Sequence, residues 1–142
     1  MTMDKTSWGD GPWQTEGDYH EWVDPKTGFD CRIQRNGSGT LCGYVGLPKG
    51  HEFCGADYSK VPWGQVDVHG GLTYSEYGDL LWWLGFDCAH SGDYCPRHQA
   101  YHPDFEEQGL VYRDFAYVKA EVEKLAQQLF EPLLALARAG EG

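Results

Sequence analysis

The residues best suited to chemistry lie between Val66 and His98. Among its residues are the histidines His69 and His90 and the aspartates Asp87 and Asp93. Imidazole and carboxylate groups are ligands of catalytic metal ions, and they also orient polar ligands in binding pockets. We therefore predict that these four side chains form one site.

Two predicted strands would position the cluster. Apolar and aromatic residues run from Val66 to Ser75 and from Leu80 to Cys88, with a four-residue connection between them. Glycine inside a strand often marks a bulge. A one-residue bulge at Gly70–Gly71 would place His69 opposite Asp87 on one face of the sheet.

One chemistry that fits the cluster is metal binding. His69, Asp87 and His90 would hold Zn²⁺ or Mn²⁺, with Asp93 as a fourth ligand or a base. A metal-bound water with a lowered pKa would then attack an ester or phosphoester. This alternative makes the protein a metal-dependent hydrolase.

A second pattern in the same segment would bind zinc structurally. Cys88-x-His90 and Cys95-x-x-His98 together offer four nitrogen and sulfur ligands, the number that a closed zinc site needs. Both patterns use His90, so they exclude each other.

A ligand site without metal is the alternative that we favour. The glycine backbone would approach a ligand closely, aromatic rings would form a wall, and the imidazoles and carboxylates would orient its polar groups. The residues predicted to bind the ligand are His51, His69, Gly70, Gly71, Tyr74, Trp83, Asp87, His90 and Asp93.

The composition of the chain limits the kinds of partner that it is expected to bind. The chain of 142 residues has a net charge of −11 and no cluster of lysine or arginine, so direct nucleic-acid binding is not expected. An anionic nucleotide is disfavoured unless Arg32, Arg35, Arg97 or Arg113 lines the pocket. No apolar stretch reaches membrane-spanning length. The five cysteines are odd in number and mixed with histidine, which favours reduced thiols and a cytoplasmic protein.

The predicted fold is one α+β domain over residues 18–142, preceded by a loosely tied arm at 1–17. An antiparallel sheet of four to six strands would carry a long C-terminal amphipathic helix on one face. Apolar residues recur at three- and four-residue steps from Phe115 to Leu136, Asp114 is suited to cap the helix, and Pro132 should kink or end it.

An early hairpin is predicted around Asn36–Gly37, a pair typical of two-residue turns. A turn centred there would place Cys31 opposite Cys42, as two buried residues or a labile disulfide. A four-residue loop would break that pairing.

Several motifs match a known group of proteins. The matching stretches are Leu41–His51 (GYVxxPxGH), Val68–Ser75 (VHGGLTYS), Trp82–His90 with Gly92–Asp93 (WWxGFDCAHxGD), and Tyr112–Asp114 with Tyr117–Val118 and Glu121. Over about residues 29–129 the chain resembles a family of small bacteriophage and prophage proteins. The resemblance implies no reaction or cofactor. It implies an accessory protein in the bacterial cytoplasm, where such proteins commonly block or sequester host components, including nucleotide signals of defence systems.

We therefore predict a non-catalytic binding protein. It would hold a small polar ligand or a host protein and so modulate a host system. The metal-dependent hydrolase remains the alternative.

Overall fold

The computed structural model describes residues 3–62, 66–99 and 109–141. In this part of the chain, five strands form one antiparallel sheet in the order β1-β2-β3-β5-β4. The strands are β1 (Tyr19–Val23), β2 (Asp30–Arg35), β3 (Leu41–Leu47), β4 (Tyr74–Gly78) and β5 (Leu81–Phe86). The helices are α1 (Pro96–Gln99) and α2 (Phe115–Glu141), with 3-10 turns at Pro12–Gln14 and Tyr58–Lys60. The predicted α+β fold is confirmed.

Helix α2 packs across β2 and β3 through the predicted apolar stripe. Val118, Val122, Leu125 and Leu129 are fully buried, because the 3.6-residue period places them on one face of the helix. The side chain of Asp114 accepts a hydrogen bond from the backbone N–H of Tyr117 (2.9 Å), which confirms the predicted cap. Two effects of Pro132 were predicted, a kink or an end; the helix runs on to Glu141, so the predicted end is wrong.

The hairpin of β2 and β3 has a five-residue connection, and the predicted two-residue turn is wrong. Arg35 pairs with Leu41, and the Oδ1 atom of Asn36 accepts hydrogen bonds from backbone N–H groups inside the loop. Cys31 therefore lies opposite Val45 rather than Cys42. Both thiols are buried, and they do not form a disulfide with each other.

The connection between β4 and β5 also differs from the prediction. Residues 66–73 form no strand, and the turn between the two strands consists of Asp79 and Leu80 alone. Both turn residues have positive φ values, 51° and 65°. Leucine is not a typical residue for such a turn, so the sequence pattern placed the turn too early.

The N-terminal segment is packed on the domain, so the prediction of a loosely tied arm is wrong. Trp8 and Trp13 are buried against Tyr94 in a second small core. The ammonium group of Lys5 lies 2.6 Å from the carboxylate of Asp18 and is itself buried. Apolar burial and this ion pair together hold the segment in place.

Candidate functional site

Residues 68–71 form a tight turn before β4, in place of the predicted bulge. The N–H of Gly71 donates to the carbonyl of Val68 (2.8 Å). Gly70 and Gly71 both have positive φ values, 68° and 81°, a backbone conformation in which residues with a Cβ are strained. From this turn the side chain of His69 reaches Asp93, in the loop after β5, and not Asp87 as predicted.

Asp93 is the partner of His69. The Nε2 atom of His69 lies 2.8 Å from one carboxylate oxygen of Asp93, and Nδ1 lies 2.8 Å from the hydroxyl of Tyr117 in α2. An ionised carboxylate only accepts, so Nε2–H of His69 donates to Asp93; when the ring is neutral, Nδ1 accepts a hydrogen bond from the hydroxyl of Tyr117. The backbone N–H of His69 donates to Glu121 (2.9 Å), a second attachment to the same helix.

The carboxylate of Asp93 is buried at the centre of this network. Besides His69, it accepts hydrogen bonds from Nε of Arg113 (3.0 Å) and from the backbone N–H of His90 (3.1 Å). Burial raises the pKa of Asp93, but the hydrogen bonds from His69, Arg113 and the His90 backbone outweigh it and lower the pKa below its ordinary value. Asp93 therefore stays ionised and holds three segments of the chain together.

His90 forms a separate pair with Asp87. Its Nε2 atom lies 3.1 Å from Oδ1 of Asp87, a distance typical of an ion pair, but the angles are not those of a hydrogen bond. Asp87 also accepts a hydrogen bond from the hydroxyl of Thr73 (3.1 Å). The His90 ring lies against Gly70, where a Cβ atom would approach Nε2 to 2.3 Å. Because glycine has no Cβ, residue 70 leaves room for the imidazole ring of His90.

The structure thus brings the four predicted residues into one neighbourhood but pairs them differently. The ring centroids of His69 and His90 are 6.1 Å apart. Among the described residues, no group of three or more histidine, cysteine, aspartate or glutamate side chains is placed to hold a metal ion. The guanidinium of Arg113 occupies one side of Asp93, where a metal would need to replace a cation already present. The geometry does not favour the metal site.

The alternative zinc pattern is not assembled in the described part of the chain either. Cys88 is buried in the core among apolar side chains, and burial raises the pKa of its thiol. A thiol held neutral by burial is a poor zinc ligand. Cys88 serves as an apolar core residue.

Three other predicted site residues lie elsewhere. His51 is buried in the core, where its Nδ1 accepts a hydrogen bond from the N–H of Phe53 and its Nε2 bonds to the carbonyl of Leu129 (2.7 Å). Trp83 and Tyr74 lie on the sheet face opposite α2, as the register of β4 with β5 shows. The structure does not bring these three residues to the His69 cluster.

A cavity of about 210 Å³ lies beside the glycine turn. A Cβ atom built on Gly71 would meet no atom within 4 Å, so the backbone of this residue faces open space. The wall mixes apolar side chains with hydroxyl groups. It is lined by Tyr58, Ser59, Val61, Val66, Gly70, Gly71 and Leu72.

Sequence reasoning from spacing missed Tyr117 and Arg113 as members of the cluster. Both belong to the stretches that carry the family resemblance, and no pattern in the sequence shows that they face His69. The guanidinium carbon of Arg113 lies 5.0 Å from the centre of the Tyr117 ring, a cation–π contact that orders both side chains. The contact between His69 and Tyr117 of α2 depends on the path of the loops, which residue spacing does not predict.

No helix in the described part of the chain has the length and apolar character needed to cross a lipid bilayer. No protein-family model, curated protein or solved structure matches this chain.

Proposed function

We propose that the protein binds a small polar ligand in the cavity beside Gly70–Gly71. The observation that carries this proposal is a glycine turn whose backbone faces a cavity of about 210 Å³. Binding sites often lie on loops that a rigid scaffold holds in position. Here the scaffold is the hydrogen-bond network of His69, Asp93 and Tyr117, which ties the turn to α2 and to the loop after β5.

The cavity limits the size of the ligand. Typical ligand pockets have volumes of roughly 300–1,000 Å³, so a cavity of about 210 Å³ suits a small molecule or one end of a larger one. Val61, Val66 and Leu72 would contact its apolar part. Backbone groups of the turn and the hydroxyls of Tyr58 and Ser59 would bind its polar part.

The positions of the arginine side chains argue against a ligand with several negative charges. Arg113 borders the His69 cluster, but its charge is balanced by Asp93. Arg35 is buried with Asp18 near the N-terminus, and Arg32 lies on the opposite face of the sheet. Arg97 donates to the carbonyl of Gly37. A neutral or singly charged ligand therefore fits the site better than a polyphosphate.

The family resemblance supplies the biological part of the proposal. A phage-type accessory protein acting in the bacterial cytoplasm would use this cavity to sequester a ligand that a host system needs, such as a signal of host defence.

Native mass spectrometry tests the proposal. The protein would be incubated with a bacterial cell extract freed of macromolecules, and bound ligand would be read as a discrete mass increase. Ser59→Tyr narrows the cavity, and Ser91→Tyr is the matched control because Ser91 is exposed and does not line it. We expect an adduct on the wild type and the control, and none on Ser59→Tyr. No adduct on the wild type, or an adduct retained by Ser59→Tyr, would contradict the proposal.

A further inference from the structure

The tip of the β4–β5 hairpin exposes an apolar side chain on an unfavourable backbone. Leu80 has a φ of 65° and exposes 97% of its surface. The left-handed conformation is strained for residues with a Cβ other than asparagine and aspartate. The side chain buries almost nothing within the fold, so it does not offset this strain. An observed backbone outlier of this kind points to a role outside the fold.

The hairpin tip adjoins an aromatic surface, the sheet face opposite α2. We call this surface the open face; the strand registers place on it the aromatic residues Tyr19, Tyr44, Tyr74 and Trp83, the apolar residues Val23 and Leu81, and several charged residues. Three of its apolar side chains are well exposed: Tyr19 at 49%, Val23 at 58% and Tyr74 at 38%. Tyrosine and tryptophan are enriched in protein interfaces.

Arg32 joins the tip to the open face. Its guanidinium carbon lies 4.2 Å from the centre of the Trp83 ring, and its Nη2 atom lies 2.9 Å from Asp79 and 2.8 Å from Glu21. These contacts tie the turn residue Asp79 to the middle of the sheet. These contacts restrict the motion of the hairpin that carries Leu80. A surface that is ordered before binding loses less conformational entropy on binding.

The charge of this surface indicates the kind of partner. Among the described residues of the open face and the tip, four carboxylates, those of Glu21, Asp30, Glu76 and Asp79, accompany one cation, Arg32, which is already paired. The whole chain carries a net charge of −11. A nucleic acid or a second copy of the chain would be repelled, whereas a basic surface would be attracted.

We propose that the open face and the Leu80 tip form a docking surface for a basic protein. Leu80 enters an apolar pocket of the partner, and the carboxylates face lysine or arginine side chains around that pocket. This surface shares no residue with the lining of the Gly70–Gly71 cavity. The inference therefore stands independently of the proposed ligand site.

Selection from a random peptide library displayed on yeast, with the full chain as bait, tests this inference. Binding of the selected peptides would then be measured for the wild type and for Leu80→Asn, Leu80→Met and Glu76→Lys. Asparagine tolerates the turn conformation, so Leu80→Asn removes the apolar side chain without disrupting the hairpin. Glu123→Lys, on α2, is the matched control for the charge change.

We expect the selected peptides to be basic and to bind more weakly as salt rises. Their affinity should fall about tenfold or more for Leu80→Asn and Glu76→Lys, and stay within about twofold for Leu80→Met and Glu123→Lys. Peptides that are acidic, or that bind Leu80→Asn as tightly as the wild type, would overturn the inference. So would a dimer in sedimentation, or binding of a single-stranded oligonucleotide, that Leu80→Asn abolishes.

Discussion

The Nε2 atom of His69 lies 2.8 Å from Oδ2 of Asp93, and this contact joins the loop before β4 to the loop after β5. The same imidazole reaches α2 through Tyr117. The Gly70–Gly71 turn follows directly in the chain, so its position depends on this histidine. Disturbing the network should therefore change both the stability of the fold and the shape of the cavity.

Asp93→Asn should lower the free energy of unfolding by about 2–4 kcal/mol. The substitution removes a buried negative charge and leaves Arg113 and His69 without their anionic partner. Urea denaturation of the purified variant measures the loss. Asp10→Asn is the control, because Asp10 is exposed, and it should stay within about 0.5 kcal/mol of the wild type. Equal stability of the two variants would show that the network is not a structural clamp.

Gly70→Ala should destabilise the protein more than Gly71→Ala. Both residues have positive φ values, so each substitution should cost about 1 kcal/mol in backbone strain. A Cβ on Gly70 would also collide with the His90 ring, whereas a Cβ on Gly71 would meet nothing within 4 Å. The double variant Gly70→Ala, His90→Ala should recover the part of the loss that the collision causes. Thermal unfolding of the single and double variants provides the comparison, and equal losses for the two single variants would contradict it.

Stability should fall in acid as Asp18 is protonated. Burial raises the pKa of Asp18, but hydrogen bonds from Lys5, the Met3 backbone and Arg35 outweigh it and lower the pKa from 3.8 to about 2. A lowered carboxyl pKa stabilises the fold above its unfolded value, and the contribution is lost as pH falls from about 4 towards 2. One pKa unit corresponds to about 1.4 kcal/mol, so the loss is about 2–3 kcal/mol.

Urea midpoints measured between pH 6 and pH 2 would show this loss. In Asp18→Asn the fall over the same range should be smaller, although the variant starts from lower stability because Lys5 and Arg35 lose their partner. An equally steep fall in both proteins would assign the acid sensitivity to other carboxylates.

The sequence predicts those parts of the fold that depend on local periodicity. The stripe from Val118 to Leu129 places α2 on the sheet, and Asp114 starts the helix. Both features follow from spacing within a few residues of the chain. The pairing of His69 with Asp93 could not be predicted in this way, because it depends on how two loops cross above the sheet.

The residues of the β2–β3 and β4–β5 turns explain why the predicted strand registers were wrong. Asn36–Gly37 is typical of a two-residue turn, yet the side chain of Asn36 holds a five-residue loop instead. The true two-residue turn carries Leu80, which has no intrinsic preference for it. The packing of the N-terminal segment does not follow from its own sequence, because Trp8 and Trp13 are buried against residues that are distant in the chain, such as Tyr94.

Leu80→Gly should raise the free energy of unfolding by about 1 kcal/mol. Glycine adopts positive φ values without strain, and Asp-Gly is a favoured pair for this turn. Leu80 is almost fully exposed, so its loss removes no core packing. Thermal unfolding should show a higher midpoint for the variant. A lower midpoint would mean that Leu80 contributes contacts to the fold.

Chelation should leave the protein unchanged if the His69 cluster acts without metal. Arg113 already supplies a positive charge beside Asp93, which disfavours a metal ion at the same place. Elemental mass spectrometry of the untagged protein, before and after EDTA, should find no stoichiometric zinc or manganese, and the thermal midpoint should not move. Stoichiometric metal whose removal lowers the midpoint would favour the hydrolase, and its loss in His69→Ala would locate the ion.

The most direct test of the proposed ligand site is an NMR titration of the ¹⁵N-labelled protein with the same macromolecule-free extract, followed by its fractions. The proposal predicts that the largest amide shifts occur at Gly70, Gly71 and Leu72, and that Ser59→Tyr suppresses them. Shifts centred on another surface, or no shift with any fraction, would contradict the assignment of a ligand site to this cavity.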